Sequence, residues 1–351
     1  MSAHWNFCTL FNTAYLSRGL ALHASLSSVC RSYHLFVFAF DDNCYEYLKN
    51  SGLPNLTVIS LREFEDEQLL SIKGSRTATE YCWTCTASTI LYSIERFGLD
   101  HCTYLDADME FYSDPASLFS EWQHASVMIT EHRYTPEYDQ SAVSGRYCVQ
   151  FMAFRNDTRG MQVLRDWRND CIKWCYARVE DGKFGDQKYL DSWQERYEGV
   201  HVLQHPGGGV APWNVQQYDI SIQDGVLMVT HATGSSPVPL VFYHYHGLRF
   251  YEAGLVMLAG ELYEIDGSVV RHLYAPYVFR LLSLGNQVKS LHPSWDPFGV
   301  SGRSPKPPLS PWILFLYYFN DLRRSIRNID GKLIRWRKRH QHVYHSRQFI
   351  R

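Results

Sequence analysis

Short apolar runs alternate with helical patterns along the first third of the sequence, and this alternation limits the possible folds more than any other feature. Residues 4–10 and 34–40 read as buried strands, and the apolar spacing of residues 14–29 between them is that of a helix. The pattern continues with a strand at 56–61, a helix at 79–97 and a strand that begins at Cys102. Strands joined by helices in this way predict an α/β fold with a mostly parallel central sheet and helices on both faces. Ligands of such sheets bind beyond the carboxyl ends of the strands.

In the stretch CTYLDADMEFYSDP, a predicted buried strand ends at three acidic residues spaced two apart, Asp106, Asp108 and Glu110. Side chains at i and i+2 of a strand lie on the same face, so a continuous strand would direct all three carboxylates the same way. Their mutual repulsion is relieved best by a divalent cation with oxygen ligands. The alternative is a solvated strand end that runs into an Asp-Pro turn, because the D-x-D pattern is short and common.

A second group of candidate ligands lies in FYHYHGLRFY, where His244 and His246 alternate on one face of a predicted strand that ends at Gly247. Two imidazoles on one face are a plausible donor set for a metal, and Arg249 just beyond could meet a phosphate. A single histidine in this setting is more often a core residue. Together with the acidic triplet, the pair favours a metal site. The loop HPGGGVAPWN precedes this strand, and its three glycines permit a close backbone approach to a ligand.

Composition excludes several classes of protein. With 45% hydrophobic and 20% charged residues in 351, the chain is neither disordered nor too small to bury a large core. The N-terminus lacks the pattern of a secretory signal, and no stretch reaches the length of apolar residues that spans a bilayer. Nine cysteines, an odd number, then predict reduced thiols in the cytoplasm. A zinc site at Cys82 and Cys85 or at Cys171 and Cys175 is disfavoured, because both pairs lie on predicted helices without a histidine pair at finger spacing.

The order of these features resembles nucleotide-sugar-dependent glycosyltransferases of the GT-A fold, and most closely the family 8 glycosyltransferases and their bacterial relatives. The resemblance covers about residues 4–250 and is carried by FNTAYLSRGLALHASL, YLDADMEFYSDP, FGDQKYL, HPGGGVAPWN and HYHG. It implies a divalent cation, Mn²⁺ or Mg²⁺, that joins Asp106 and Asp108 to the diphosphate of a UDP-linked sugar. The later His-x-x-Gly metal motif of the family falls on His244 and Gly247.

The resemblance also implies how the donor is held. Arg249 lies where a basic residue often meets the diphosphate. Phe11, Asn12 and Tyr15, at the end of the first strand, are expected to surround the base and ribose. Tyr15 is the candidate for stacking on the base, with a core role as the alternative.

Two motifs depart from the family, and the stereochemistry therefore stays open. Family 8 members commonly carry Asn-Asp-Gln where this chain has FGDQ, and Asn-x-Gly where it has CVQ. If the reaction inverts the anomeric carbon, Asp186 is the first candidate for the catalytic base and Glu131 the second. If it retains configuration, Gln150 or Asp186 would orient the oxocarbenium-like state. Asp186 could instead be a helix N-cap.

The C-terminal part of the sequence has a different character. Residues 1–250 are predicted to form the nucleotide-sugar-binding and catalytic domain, 251–291 its C-terminal part and 292–311 a Pro-rich linker. Residues 312–351 are predicted to form an aromatic and basic membrane-surface tail, a helical extension of the fold. From Asp321 to Arg351 the tail holds ten Lys/Arg against two Asp. Such a tail can bind an anionic membrane or a nucleic acid. The adjoining apolar run WILFLYYF favours the membrane, because it would have no use on a phosphate backbone.

The sequence therefore predicts a metal-dependent hexosyltransferase that moves a sugar from a UDP-linked donor to a saccharide or glycolipid, such as a lipopolysaccharide or another cell-surface glycan. It is expected in the cytoplasm, peripheral on the inner face of the membrane. Two alternatives stay open. A sugar-phosphate nucleotidyltransferase should carry a Gly-rich basic loop after the first strand, and FNTAYLSRG is a poor version of one. A non-catalytic membrane-surface scaffold would not bind nucleotide in a metal-dependent way.

Overall fold

A computed structural model describes residues 4–234, 236–302 and 342–350 of the chain. Its centre is a seven-stranded sheet with the order β3-β2-β1-β4-β7-β6-β8. All pairings are parallel except those that β7 makes with β4 and β6, so the sheet is mostly parallel. The predicted α/β class is confirmed. The strands of this sheet are β1 (Trp5–Phe11), β2 (Tyr33–Ala39), β3 (Leu56–Ser60), β4 (His101–Leu105), β6 (Val127–Glu131), β7 (Tyr147–Arg155) and β8 (Val200–Val202).

Helices cover both faces of the sheet, and the alternation of side chains along β1 shows how. Cys8 and Leu10 belong to the core on one face, which the longest helix and its partner α8 complete. Phe7 and Phe11 belong to the core on the opposite face, under α1. The helices are α1 (Leu16–Val29), α2 (Asp42–Asn50), α3 (Leu61–Phe64), α4 (Glu67–Lys73), α5 (Ala78–Phe97), α6 (Ala116–Phe119), α7 (Ser141–Ser144), α8 (Thr158–Lys173), α9 (Trp193–Arg196), α10 (Gly267–Val269) and α11 (Ala275–Leu291).

Three small sheets adjoin the central one and share a third core cluster with α11. In two of them a strand pairs with one far away in sequence: β5 with β12, and β14 with β15. Their strands are β5 (Met109–Phe111), β9 (Tyr218–Gln223), β10 (Val226–His231), β11 (Val238–Pro239), β12 (Phe242–His244), β13 (Arg249–Tyr251), β14 (Leu255–Met257) and β15 (Val343–His345).

The acidic triplet does not continue a single strand, and this corrects the prediction that its three carboxylates share a face. Strand β4 ends at Leu105, the chain turns through Asp106 and Asp108, and β5 pairs with β12 instead of extending the central sheet. Glu110 is buried and ion-paired with Arg280 of α11, with Nε and Oε1 2.9 Å apart. Glu110 therefore supports the packing of α11 and is not a member of the acidic cluster.

The described part of the predicted linker packs against the N-terminal helix. The backbone N–H of Ser17 donates to the Pro297 carbonyl at 3.1 Å, and Arg18 donates to the Phe298 carbonyl at 3.0 Å. Residues 303–341, which hold the rest of that linker and most of the predicted membrane-surface tail, lie outside the described residues. In the part of the chain that is described, no helix combines the length and apolar character needed to cross a membrane.

Candidate functional site

Asp106, Asp108 and His244 converge at one point, as the resemblance implied. One ligand atom of each lies within 4.8 Å of those of the other two. His244 Nε2 is 3.0 Å from Asp108 Oδ1 and 3.7 Å from Asp106 Oδ2. Among the described residues this is the one group of three or more histidine, cysteine or acidic side chains that could hold a metal ion.

The fold brings these residues together from distant parts of the chain. Asp106 follows the last residue of β4, and its backbone N–H donates to the Gln150 carbonyl of β7 at 3.1 Å. Met109 of β5 is directly opposite His244 of β12, and the backbone N–H of Tyr245 donates to the Asp108 carbonyl at 2.9 Å. The cluster therefore lies at the carboxyl edge of the parallel strands, where such sheets bind ligands.

The three groups shift each other's protonation. Burial, together with the neighbouring charge of Asp108, raises the pKa of Asp106 to about 6. Burial alone would also raise the pKa of Asp108, but the charge of His244 and its hydrogen bond lower it to about 2. Burial lowers the pKa of His244, but the two carboxylates outweigh this effect and raise it well above its ordinary value. Without another cation, the acidic pair is balanced by a proton on His244.

Gln150 controls which nitrogen of His244 faces the carboxylates. Its Oε1 is 2.8 Å from His244 Nδ1, and the Gln150 side chain is completely buried. An amide oxygen can only accept, so Nδ1 carries the hydrogen and the lone pair of a neutral His244 lies on Nε2, directed at Asp106 and Asp108. A lone pair facing two carboxylate oxygens is repulsive unless a cation lies between them. These residues therefore fit a divalent metal, with a histidine oriented by its outer hydrogen bond.

The HPGGGVAPWN loop lies beside His244 and is fixed by one amide. Asn214 is fully buried; its Nδ2 donates to the carbonyls of His132 and Gly209, both at 2.8 Å, and its Oδ1 accepts from the Ala211 N–H at 2.9 Å. The loop in turn accepts the His244 N–H at the Val210 carbonyl, at 3.0 Å. Asn214 thus holds the backbone against which His244 is positioned.

The glycines of this loop are required by packing within the protein. A Cβ added at Gly207 would lie 2.1 Å from the Pro239 carbonyl oxygen. Gly209 has a φ of +81°, and a Cβ there would lie 2.7 Å from Nη2 of Arg133. A side chain at either position would collide with existing protein atoms, so glycine is needed whether or not a ligand binds.

The residues predicted to surround the base and ribose divide into two kinds. Asn12 and Tyr15 are exposed, and partial burial and then the charge of Asp108 raise the pKa of the Tyr15 hydroxyl. The Tyr15 hydroxyl therefore lies within electrostatic range of the acidic pair. The Phe11 ring lies in the core, where a Cβ added at Gly19 would meet it at 2.1 Å. The predicted contact of Phe11 with a base is thus not available to its ring, because helix α1 covers it.

No pattern in the sequence marks Arg18, yet its side chain positions the residues around Tyr15. It is buried, its guanidinium carbon is 4.5 Å from the centre of the Tyr15 ring, and its Nη2 donates to the Leu248 carbonyl at 3.0 Å. It joins the first helix to the turn that follows His244. Gly247 in that turn has a φ of +81°, which favours glycine, and Arg249 beyond it is exposed. His246 lies edge-on to His244, with ring centres 5.7 Å apart.

Asp186 lies near the acidic pair although it comes from another segment. It is buried, and burial followed by the charge of Asp106 raises its pKa to about 7. The Trp167 indole N–H donates to its backbone carbonyl at 2.9 Å. The described helices begin at other residues, and Asp186 caps none of them. It is thus a buried carboxyl group that changes protonation near neutral pH.

Glu131 is placed differently. It ends β6 at the same edge of the sheet, but its carboxylate pairs with Arg146, with Nε and Oε1 2.7 Å apart. Within the described residues it makes no hydrogen bond or ion pair with the acidic cluster. The nine cysteines are all free, and neither predicted cysteine pair joins a candidate metal group in the described part of the chain.

Comparison with known proteins gives remote similarities. No family model matches the chain. It is 28% identical over 298 residues to YfnD, an uncharacterized protein of Bacillus subtilis strain 168, covering 83% of this chain and 93% of YfnD. The structure is similar to the galactosyltransferase LgtC, solved with donor and acceptor sugar analogs, at 13% identity and a TM-score of 0.44, over 79% of this chain and 95% of LgtC.

It is also similar to the glycosyltransferase GlyE of Streptococcus pneumoniae TIGR4, at 16% identity and a TM-score of 0.37. That match covers 58% of this chain, and the chain spans about half, 46%, of the length of GlyE. At such identities and TM-scores, function has to be inferred from the site.

Proposed function

We propose that the chain is a metal-dependent glycosyltransferase of the GT-A type, which transfers a sugar from a UDP-linked donor to a saccharide or glycolipid acceptor. The observation that carries this proposal is the convergence of Asp106, Asp108 and His244 at the carboxyl edge of a mostly parallel sheet. Two carboxylates and one imidazole suit Mn²⁺ or Mg²⁺ and leave coordination positions for diphosphate oxygens.

In this proposal Asp106, Asp108 and the Nε2 atom of His244 hold the metal. When bound, the metal supplies a Lewis acid that offsets the charge developing on the leaving diphosphate, so no protein acid is needed. Gln150 acts through His244: its side chain is buried behind the imidazole and orients it. We therefore propose Gln150 as a positioning residue rather than as the catalytic residue that its sequence position suggested.

The donor would bind between Tyr15 and Asn12 on one side and Arg249 on the other. Tyr15, supported from behind by Arg18, offers an exposed ring for the base. Asn12 is exposed beside it for the ribose, and Arg249, exposed beyond the Gly247 turn, offers a cation to the diphosphate.

Asp186 is the proposed catalytic carboxylate. A pKa of about 7 allows it to accept a proton near neutral pH, as a base on the acceptor hydroxyl would in an inverting reaction. In a retaining reaction the same carboxylate would face the positive charge that develops on the donor sugar. The configuration of the product at the anomeric carbon distinguishes these two roles.

The predicted tail adds a location to the proposal. Ten basic residues beyond Asp321 and the apolar run before them would hold the enzyme on the inner face of an anionic membrane. A glycolipid acceptor, such as a lipopolysaccharide, would be within reach there. The domain boundaries at residues 250, 291 and 311 stay predictions as well.

Calorimetric titration with UDP, in the presence and absence of Mn²⁺, tests the donor site. Wild type should bind UDP when Mn²⁺ is present, and the double variant Asp106→Ala with Asp108→Ala should lose that binding. Asp219→Ala is the matched control, because Asp219 is exposed on β9. If UDP, GDP, dTDP and CMP all fail to bind wild type with or without metal, the transferase proposal is wrong.

A further inference from the structure

A shallow depression lies at the amino edge of the central sheet, at the opposite end of the strands from the acidic cluster. Its volume is about 520 Å³. Asn6, His34 and Thr57, the second residues of β1, β2 and β3, line it, and Asp100 lines it just before β4. Because these strands run parallel, five residues of extended chain, about 17 Å, separate Asn6 from the carboxyl end of β1. The depression is therefore separate from the proposed donor site.

The depression exists because helix α5 ends before it covers this end of the sheet. Asn6 shares its face of β1 with Cys8, whose thiol lies 3.8 Å from the Thr89 hydroxyl of α5. The helix stops at Phe97, and Gly98 follows with a φ of +62°. A Cβ added at Gly98 would meet no atom within 4 Å, apart from its chain neighbours. The space between the helix end and the sheet is therefore open.

Aromatic rings form one wall of the depression. The ring centres of His34 and Phe36 are 4.7 Å apart, and those of Phe36 and Phe97 are 4.6 Å apart, so the three rings form a row. Phe36 is 4% exposed, whereas Phe97, at the open end of the row, is 40% exposed. Phe97 therefore offers apolar ring surface to a ligand.

The floor of the depression carries polar groups that the protein itself does not use. Asn6 is only 7% exposed, and its backbone N–H donates to His101 Nε2 at 3.3 Å, but its side-chain amide has no hydrogen-bond partner among the described residues. His34 contacts the Thr57 hydroxyl through Nε2, at 2.8 Å. Burial lowers the pKa of His34, so its imidazole is neutral at pH 7. A buried amide without a partner is costly, and a hydrogen-bonding ligand would relieve that cost.

The charge of the lining selects among ligands. In the described part of the chain, no lysine or arginine lines the depression. Asp100 stands at the rim with 85% of its side chain exposed, although one of its oxygens contacts His101. The C-terminal end of α5, the negative end of the helix dipole, also opens there. A phosphate or a nucleotide would meet only negative charge at the rim, whereas a neutral ring with hydroxyl groups would not be repelled.

We propose that this depression binds a neutral saccharide. The Phe97 ring packs on the C–H face of a pyranose, and the Asn6 amide and the His34 imidazole pair with its hydroxyls. A sugar bound there is too far from the acidic cluster to react, so the site holds a remote part of a glycan chain. The binding of a saccharide is independent of the proposed function, and only the identification of that glycan as the acceptor or product rests on it.

Saturation-transfer NMR on the full chain, with and without UDP and Mn²⁺, tests the ligand class. The neutral probes are methyl β-glucoside, methyl β-galactoside and maltotriose. Glucose 6-phosphate and adenosine represent an anionic sugar and a planar base. We expect at least one neutral probe to bind in a saturable manner, and glucose 6-phosphate to bind about tenfold more weakly than methyl β-glucoside because of the negative rim.

Variants locate the binding. Phe97→Ala and Asn6→Leu should each weaken it about tenfold and leave the Mn²⁺-dependent affinity for UDP within about twofold of wild type. Phe97→Tyr keeps the ring and should retain the binding. Phe279→Ala is the matched control, because Phe279 is 48% exposed on α11, and it should change nothing. If Asn6→Leu does not fold, the partly exposed Phe97 variants decide the test.

The outcomes separate this inference from the proposed function. If UDP binds with Mn²⁺ but no neutral saccharide binds, or if one binds Phe97→Ala as well as wild type, the saccharide site is wrong and the donor site is unaffected. Saccharide binding that depends on Phe97, without binding of any nucleotide, would support the depression as a saccharide site and overturn the transferase proposal. Binding of adenosine or glucose 6-phosphate in place of the neutral saccharides would refute the ligand class.

Discussion

Replacing Gln150 with leucine should weaken metal binding more than it weakens the fold. The amide oxygen of Gln150 is 2.8 Å from His244 Nδ1, and both side chains are buried. Leucine of similar volume would leave the Nδ1–H of His244 unpaired, which costs about 1 to 3 kcal/mol. The same substitution removes the Gln150 Nε2 group, which is buried without a partner, and this partly offsets the loss of stability.

For metal affinity, no comparable gain offsets the loss of the hydrogen bond to His244. The imidazole loses the partner that directs Nε2 toward Asp106 and Asp108, and removal of an outer partner of a metal-bound histidine weakens metal affinity by about ten- to a hundredfold. At about 1.4 kcal/mol for each factor of ten, this corresponds to about 1.4 to 2.8 kcal/mol. We expect the free energy of unfolding without metal to fall by about 1 kcal/mol or less.

Electron paramagnetic resonance of free Mn²⁺, in the presence of saturating UDP, measures the affinity, and urea unfolding measures the stability. Gln194→Leu is the control, because it also removes one hydrogen bond to a glutamine, from the Tyr147 hydroxyl, at a distance from the cluster. If Gln150→Leu stays folded and binds Mn²⁺ within twofold of wild type, the proposed orientation of His244 is wrong.

Three further predictions concern the structure around the site. Asn214→Ala removes three buried hydrogen bonds of the loop beside His244 and should lower the free energy of unfolding by about 3 kcal/mol. It should also weaken Mn²⁺-dependent UDP binding. Urea unfolding at the same free energy as wild type would contradict this prediction. Thr77→Ala removes the N-cap of α5 and should lower the free energy of unfolding, measured in urea, by about 1 kcal/mol without changing UDP affinity. A loss of UDP binding would contradict a purely structural role of Thr77. Burial lowers the pKa of His132 to about 3, whereas its pKa in the unfolded chain is about 6.5. Below about pH 6.5 the unfolded chain therefore takes up a proton that the folded protein does not. The stability that the neutral His132 provides above about pH 6.5 is lost as pH falls. Between pH 7 and pH 5 this loss is about 2 kcal/mol, and His132→Phe should reduce the fall by that amount; an equally steep fall in the variant would refute the assignment.

The sequence predicted the elements of the central sheet well, because their signal is local. The strand predicted at residues 34–40 is found at Tyr33–Ala39, and the helix predicted at 79–97 is found at Ala78–Phe97, with a capping box between Thr77 and Glu80. Apolar periodicity, helix caps and glycine stops can be read within a single segment.

Features that depend on distant pairing were missed. The break at Asp106 arises because β5 pairs with β12, which lies about 130 residues further along the chain, and nothing near Asp106 records this partner. Glu110 was placed with the other two carboxylates for the same reason, whereas its partner Arg280 comes from α11.

Within the candidate site, the sequence indicated the three residues that could hold a metal, but it did not indicate the residues that position them. Asp106, Asp108 and His244 stand in motifs whose order resembles a known family, and the structure brings the three together. Asn214 and Arg18 act by hydrogen bonds to backbone carbonyls, and neither side chain belongs to a spacing pattern that would mark it. Asn214 lies in the HPGGGVAPWN motif, but only the fold shows that its side chain fixes the loop.

The most direct test of the central claim is the release of UDP from UDP-sugars by the purified full chain. UDP-glucose, UDP-galactose and UDP-N-acetylglucosamine are each incubated with wild type and with Asp108→Asn, with Mn²⁺ and with a chelator. We expect wild type to release UDP from at least one donor only when Mn²⁺ is present. Asp108→Asn removes the charge of a proposed metal ligand at nearly constant volume and should slow that release at least a hundredfold. UDP release that is equally fast in the variant or in the chelator would contradict a metal site at Asp106, Asp108 and His244.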